Sequence, residues 1–196
     1  CSSQPETPER SESTAICLLI CRSNLPTLTI STSASMCLKQ GSSFEENAQL
    51  KATTYCGLAG VLTLADDSGL EVDALAGAPG VLSARYGGPD LDDGDRLSLL
   101  LSNMAHVPGW KRTARFRAVL ALAAPPDADI LETTNGTVEG AICHEPVGKG
   151  GFGYDPVFWL PEKAMTMAQL TAAEKNALSH RGKAAIAMSR FLATLA

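Results

Sequence analysis

The sequence has no C-x-x-C pair, no apolar run near the length of a membrane helix, no excess of positive charge and no internal repeat. Each absence closes off a class. A membrane helix needs ~20 consecutive apolar residues, so no span is expected. The six cysteines, four of them (Cys1, Cys17, Cys21 and Cys37) within the first forty residues, lack the paired spacing of a zinc site. In a chain of 196 residues they do not describe a small disulfide-stapled module either. A net charge of −5 argues against a surface that coats nucleic acid, and an anionic substrate would then need local cations or a metal. Glu6, Glu9 and Glu12 stand where a secretory signal carries its positive charge. The expectation is a cytoplasmic chain with one sizeable core, no membrane contact and no nucleic-acid partner.

What is present centres on Ala65-Asp66-Asp67-Ser68-Gly69-Leu70. The apolar Val61, Leu62 and Leu64 before it predict a buried strand, and Gly69 predicts a turn at its end. Two adjacent carboxylates at a strand end, beside a hydroxyl, suit a Mg²⁺ and phosphate site, because Mg²⁺ takes hard oxygen ligands from one or two carboxylates and from phosphates. Upstream, Ser43 and Glu46 have capping-box spacing and predict a helix to Cys56, closed by Gly57. Its first turn carries Glu45, Glu46 and Asn47, which are either solvated capping residues or a turn facing the metal. Downstream, residues 71 to 88 read as a long glycine-rich loop, and Asp90 to Met104 as a helix with Leu97, Leu100, Leu101 and Met104 on one face. Ala114 to Ala123 alternates as a strand. Ile130 to Ile142 is β-like, with Asn135-Gly136 predicting a hairpin turn or a bulge.

Gly148-Lys149-Gly150-Gly151-Phe152-Gly153 matches G-x-G-x-x-G in form only. A dinucleotide site would follow a strand and open a helix. Here Pro146 precedes the glycines and Val157-Phe158-Trp159 follows as a strand. The loop can still bring backbone N–H groups to an anion or a ring, and an aromatic set between glycines can stack on a base. Thr171 and Glu174 form a second capping box, opening a short helix that holds Lys175. Gly182 to Leu195 predicts another helix with Ala184, Met188, Phe191 and Leu195 on one face. His180 and Arg181 fall at the junction, where three donors could hold a phosphate or a carbonyl oxygen.

Seven collinear segments carry a resemblance. They are Ser43 to Ala48, Ala65 to Leu70, Gly77 to Gly80, Ser83 to Tyr86, Gly150 to Pro156, Glu174 to Ala177 and Ser179 to Gly182. From about Gly41 to the C-terminus the chain resembles the Ham1 family, the inosine/xanthosine triphosphate pyrophosphatases. The resemblance implies a mixed α/β fold: a long twisted sheet flanked by helices, with a cleft between two lobes, in a homodimer. It implies Mg²⁺-dependent cleavage of ITP, dITP or XTP to the monophosphate and pyrophosphate, which clears the nucleotide pool. Asp67 would be the proton acceptor and a metal ligand, and Ser68 would touch substrate. Phe152, Gly153, Tyr154 and Asp155 would line the base, with Phe152 stacking. Lys175, His180 and Arg181 would contact the nucleotide, the last two near the purine 6-oxo edge.

Two family features are missing. A Thr-Gly-Asn-x-Gly-Lys turn should open the chain, and a Glu should stand where this sequence has Lys39. The genetic code offers an account. Codons can be chosen for Cys1 to Glu12 that, read from the third base, spell a segment containing Thr-Gly-Asn-Pro-Gly-Lys. The same offset turns Met36 to Gly41 into Val-Pro-Glu-Thr-Gly. Residues 1 to 41 are therefore expected to be an out-of-frame segment, and residues 42 to 196 a single catalytic domain. If that segment is real as written, the chain would lack its first strand and its phosphate grip and would be an impaired nucleotide binder. A Maf-like pyrophosphatase acting on pyrimidine or modified nucleotides is the other alternative.

Overall fold

The computed structural model describes residues 17–20, 28–31 and 41–195. Its strands are β1 (Cys17–Ile20), β2 (Leu28–Ser31), β3 (Leu62–Val72), β4 (Thr113–Ala124), β5 (Asp129–Ile142), β6 (Phe158–Leu160) and β7 (Met165–Thr166). Its helices are α1 (Phe44–Ala59), α2 (Asp93–Asn103), α3 (Ala172–Leu178) and α4 (His180–Leu192). The strands form one sheet in the order β2-β1-β3-β4-β5-β6-β7, with every described pairing antiparallel. The fold is thus mixed α/β, a long sheet with helices packed on it.

Alternation along the strands decides what covers each face. On one face Ala65, Val119, Ala121 and Ala123 meet Phe44, Ala48, Ala52 and Cys56, an i, i+4 stripe of α1. On the other, Leu64, Ala118, Leu120 and Leu122 meet Ala184 and Met188 of α4. The far end of β3 belongs to a third cluster, where Leu70 and Val72 join Leu100 and Met104 with Tyr154, Val157 and Phe158. Asp66 to Gly69 fall between these clusters, in mid-strand.

Several boundaries differ from the sequence expectation. Ser43 caps α1 through the Glu46 N–H, but the helix runs past Gly57 and closes at Gly60, whose φ of 65° suits glycine. Gly69 makes no turn. A Cβ there would stand 2.4 Å from Ser83 Oγ and 2.6 Å from the Gly80 carbonyl oxygen, so glycine serves close packing inside a continuous strand. Asn135-Gly136 is neither hairpin nor bulge, since β5 runs through it and the register shift opposes Leu122 and Ala123 instead. A Cβ at Gly136 would lie 2.1 Å from the His180 carbonyl oxygen, so this glycine lets α4 sit directly on β5. Residues 71 to 88 hold the end of β3 and two 3₁₀ turns, Asp73–Leu75 and Gly80–Arg85, rather than structureless loop.

The first-strand expectation is also corrected. β1 pairs with β3 along Leu62–Ala65, so the written chain does place a strand there. Beyond Ala65 the pairing stops. Among the described residues the outer edge of β3 carries only one bridge, Glu71 to Pro79, between Asp66 and Val72. Lys39 and the first sixteen residues lie outside the described residues.

Candidate functional site

Asp66 and Asp67 do not form one acidic pair. Successive strand residues point to opposite faces, and here each carboxylate meets a cation from the helix on its own side. Asp67, opposite Val119, faces α1. Lys51 Nζ donates to Asp67 Oδ1 at 2.8 Å, and Asn47 Nδ2 donates to Asp67 Oδ2 at 3.1 Å. Lys51 also reaches the Asp66 carbonyl, and Asn47 Oδ1 accepts the Gly41 N–H at 3.1 Å. Asp67, Lys51 and Asn47 are all buried.

The first-turn acids of α1 stay out of this cluster. Glu46 turns back to the Ser42 N–H and hydroxyl, which hold its carboxyl below the usual range, and Glu45 is exposed. Sequence reasoning missed Lys51. The available signal was its i, i+4 spacing from Asn47 alongside the apolar stripe of α1; a lysine is almost never fully buried unless paired.

Asp66, opposite Leu120, faces α4. Arg181 Nε donates to Asp66 Oδ2 at 3.0 Å. Ser179 links the last two helices, ending α3 and capping α4 through the Gly182 N–H, so α4 begins at His180 rather than Gly182. His180 is buried and stacks on Phe116, with ring centroids 4.9 Å apart and planes at 12°. Its Nδ1 is buried without a partner among the described residues. Burial, then the charges of Arg181 and Lys175, lower its pKa to about 3, so the ring is neutral near pH 7. Ser68 is half-buried on the Asp66 side of β3, where that strand's outer edge has no pairing among the described residues.

The glycine loop supplies the aromatic. Phe152 is 61% exposed. Lys175 Nζ lies 4.1 Å and the Arg181 guanidinium carbon 5.5 Å from its ring centroid. Buried Asp155 organises this group, accepting the Phe152 N–H at 2.8 Å and the Lys175 ammonium on one oxygen. The Gly153 N–H is held by Asp93 at 3.2 Å. Tyr154 turns inward, where its hydroxyl donates to the Ser83 carbonyl at 2.9 Å and burial pushes its phenol up. The structure therefore gathers Phe152, Asp155, Lys175, His180 and Arg181 on the α4 face. It places Asp67 on the α1 face and Tyr154 in the core.

A profile of the Ham1 family matches residues 19–191. This chain belongs to the Ham1 family. It is 51% identical over 146 residues to a dITP/XTP pyrophosphatase of Desulforamulus reducens, covering 74% of this chain and 72% of that protein. It is 49% identical over 144 residues to a dITP/XTP pyrophosphatase of Vibrio cholerae, with the same coverage. A solved Ham1 protein from Coxiella burnetii superposes with a TM-score of 0.76 at 42% identity, covering 80% of this chain and 79% of its own. The Ham1 protein of Staphylococcus aureus gives 0.75 at 39% identity, covering 81% and 80%. Among the described residues, no helix is long and apolar enough to cross a membrane.

Proposed function

We propose that this Ham1 chain is an acid-anhydride hydrolase that cleaves purine nucleoside triphosphates of the ITP, dITP and XTP type to the monophosphate and pyrophosphate. One observation carries the reading. A buried carboxylate–lysine pair and an aromatic-and-cation cluster sit one peptide apart on opposite faces of β3. Relatives near 50% identity that are named dITP/XTP pyrophosphatases support it.

In this reading Asp67 accepts the proton from the attacking water. Lys51 and Asn47 hold its two oxygens in place. Phe152 stacks on the base, with Gly153 and Tyr154 setting the loop that carries it and Asp155 fixing that loop to Lys175. Neutral His180 and cationic Arg181 face the 6-oxo edge, and Ser68 lies along the substrate's path at the strand edge. Donors placed there reject a 6-amino group, because buried donors left unpaired are costly.

The family reading includes Mg²⁺, and the donor chemistry fits. Among the described residues no group of three acids, histidines or cysteines could hold a metal alone. Asp67 nevertheless offers a buried hard-oxygen ligand, and Mg²⁺ is commonly held by one or two carboxylates together with substrate phosphates. When bound, the ion neutralises charge developing on the phosphate. We extend the proposal to a cytoplasmic homodimer that clears the nucleotide pool, with residues 42–196 as its catalytic domain.

The test is pyrophosphate release from dITP, XTP, dATP, dTTP and UTP, with and without Mg²⁺. Turnover of dITP and XTP is expected. Preference for dTTP or UTP would point instead to a Maf-like activity, and binding without turnover to an impaired binder. D67N should lower kcat by about 10²–10⁴-fold with nucleotide binding retained.

A further inference from the structure

The two carboxylates of β3 look alike in sequence, but their surroundings divide them. Asp67 is locked to Lys51 and Asn47 on the α1 face, whereas the Asp66 carboxylate accepts from Arg181 on the α4 face. The contact to Arg181 uses Nε. That choice leaves the two Nη groups without a hydrogen bond among the described residues, while the same guanidinium sits 5.5 Å from the exposed Phe152 ring. A guanidinium held at Nε presents its Nη groups as a fixed fork, and such a fork matches two acceptors side by side.

The placement of Arg181 adds to the case. It is the second residue of α4, at the positive end of the helix dipole, and Lys175 lies over the same aromatic ring. A cation there is electrostatically disfavoured without a nearby anion. Asp66 supplies that anion from 115 residues away in the chain, and it is buried. A purine with a 6-oxo group presents O6 and N7 as two adjacent acceptors, whereas adenine presents N7 beside an amino donor.

We propose that Asp66 is a specificity-determining positioning residue, one that aims Arg181 at the O6/N7 edge of the purine while its neighbour Asp67 serves the chemistry. This assignment rests on the purine reading above. It divides the pair into one carboxylate for recognition and one for proton transfer.

The test is calorimetric binding of dIMP and dAMP to the full chain, with circular dichroism confirming that each variant folds. The parent is expected to prefer dIMP. Asp66→Asn should reduce that preference about tenfold, the scale of a charge-assisted hydrogen bond at a partly exposed guanidinium. Asp66→Ser, smaller and neutral, is read alongside in case the amide disturbs the strand, and the same loss is expected. In an Arg181→Gln background Asp66→Asn should change nothing further, because both substitutions remove one interaction. Full preference in Asp66→Asn and Asp66→Ser, or additive effects with Arg181→Gln, would overturn the assignment while leaving the purine reading intact. A parent that binds dIMP and dAMP equally would overturn the purine reading, and this assignment with it.

Discussion

Lys51 and Asp67 form a buried ion pair, with Nζ 2.8 Å from Oδ1 and side-chain exposures of 5% and 1%. The pair joins the third turn-region of α1 to the middle of β3, across only 16 residues of chain. Breaking such a pair costs more than forming it gains, because the surviving charge stays buried.

Lys51→Met is therefore expected to destabilise the fold by about 3–5 kcal/mol. Adding D67N should recover a substantial part of that loss, since no charge is then left unpaired. Denaturant midpoints of the two variants and the parent check this. Equal stability of Lys51→Met and the double variant would show that the penalty is not the stranded charge.

His180 sets a pH dependence. Its folded-state pKa, about 3, lies below the ordinary histidine value of 6.5, so the unfolded chain binds the proton that the native chain refuses. The stability it contributes is present above pH ~6.5 and is lost as the pH falls from there toward 3, by about 5 kcal/mol at most. His180→Phe keeps the ring against Phe116 and removes the titration. Its stability should fall less steeply than the parent's across that window, measured by thermal melting at stepped pH.

Gly136→Ala should be costly although it adds one methyl group. The new Cβ would press on the His180 carbonyl and the Ala184 nitrogen, both backbone atoms. A loss of about 1–3 kcal/mol is expected from overpacking. Because α4 must retreat from β5, nucleotide binding should weaken as well. Melting temperature and dIMP affinity report the two effects.

The out-of-frame reading of residues 1 to 41 predicts a distinct peptide. Tryptic mapping of the protein from its natural source should yield a segment containing Thr-Gly-Asn-Pro-Gly-Lys. Peptides matching Ser11 to Arg22 as written would refute that reading.

Much of the architecture was legible because the signals were local. The caps at Ser43 and Thr171 act within one helical turn, and the alternation of β4 is visible in Phe116, Ala118, Leu120 and Leu122. The family motifs also led to Phe152, Asp155, Lys175, His180 and Arg181, which the structure gathers on the α4 face. What escaped was tertiary. Gly69 and Gly136 read as turn signals, yet their reason is the approach of Ser83 and of α4, which no local pattern encodes. The same limit explains Lys51, whose partner lies on another element. It also explains Asp66 and Asp67, which read as one acidic pair until strand alternation sends them apart.

That separation ties function to counting. The parity of β3 decides which carboxylate meets Lys51 and which meets Arg181, and parity is a property of the backbone, not of either side chain. A one-residue slip of β3 against β4 would exchange the partners of the two acids without altering the composition of the site. Point substitutions can tune this strand, but the proposed division of labour holds only while its register against β4 holds.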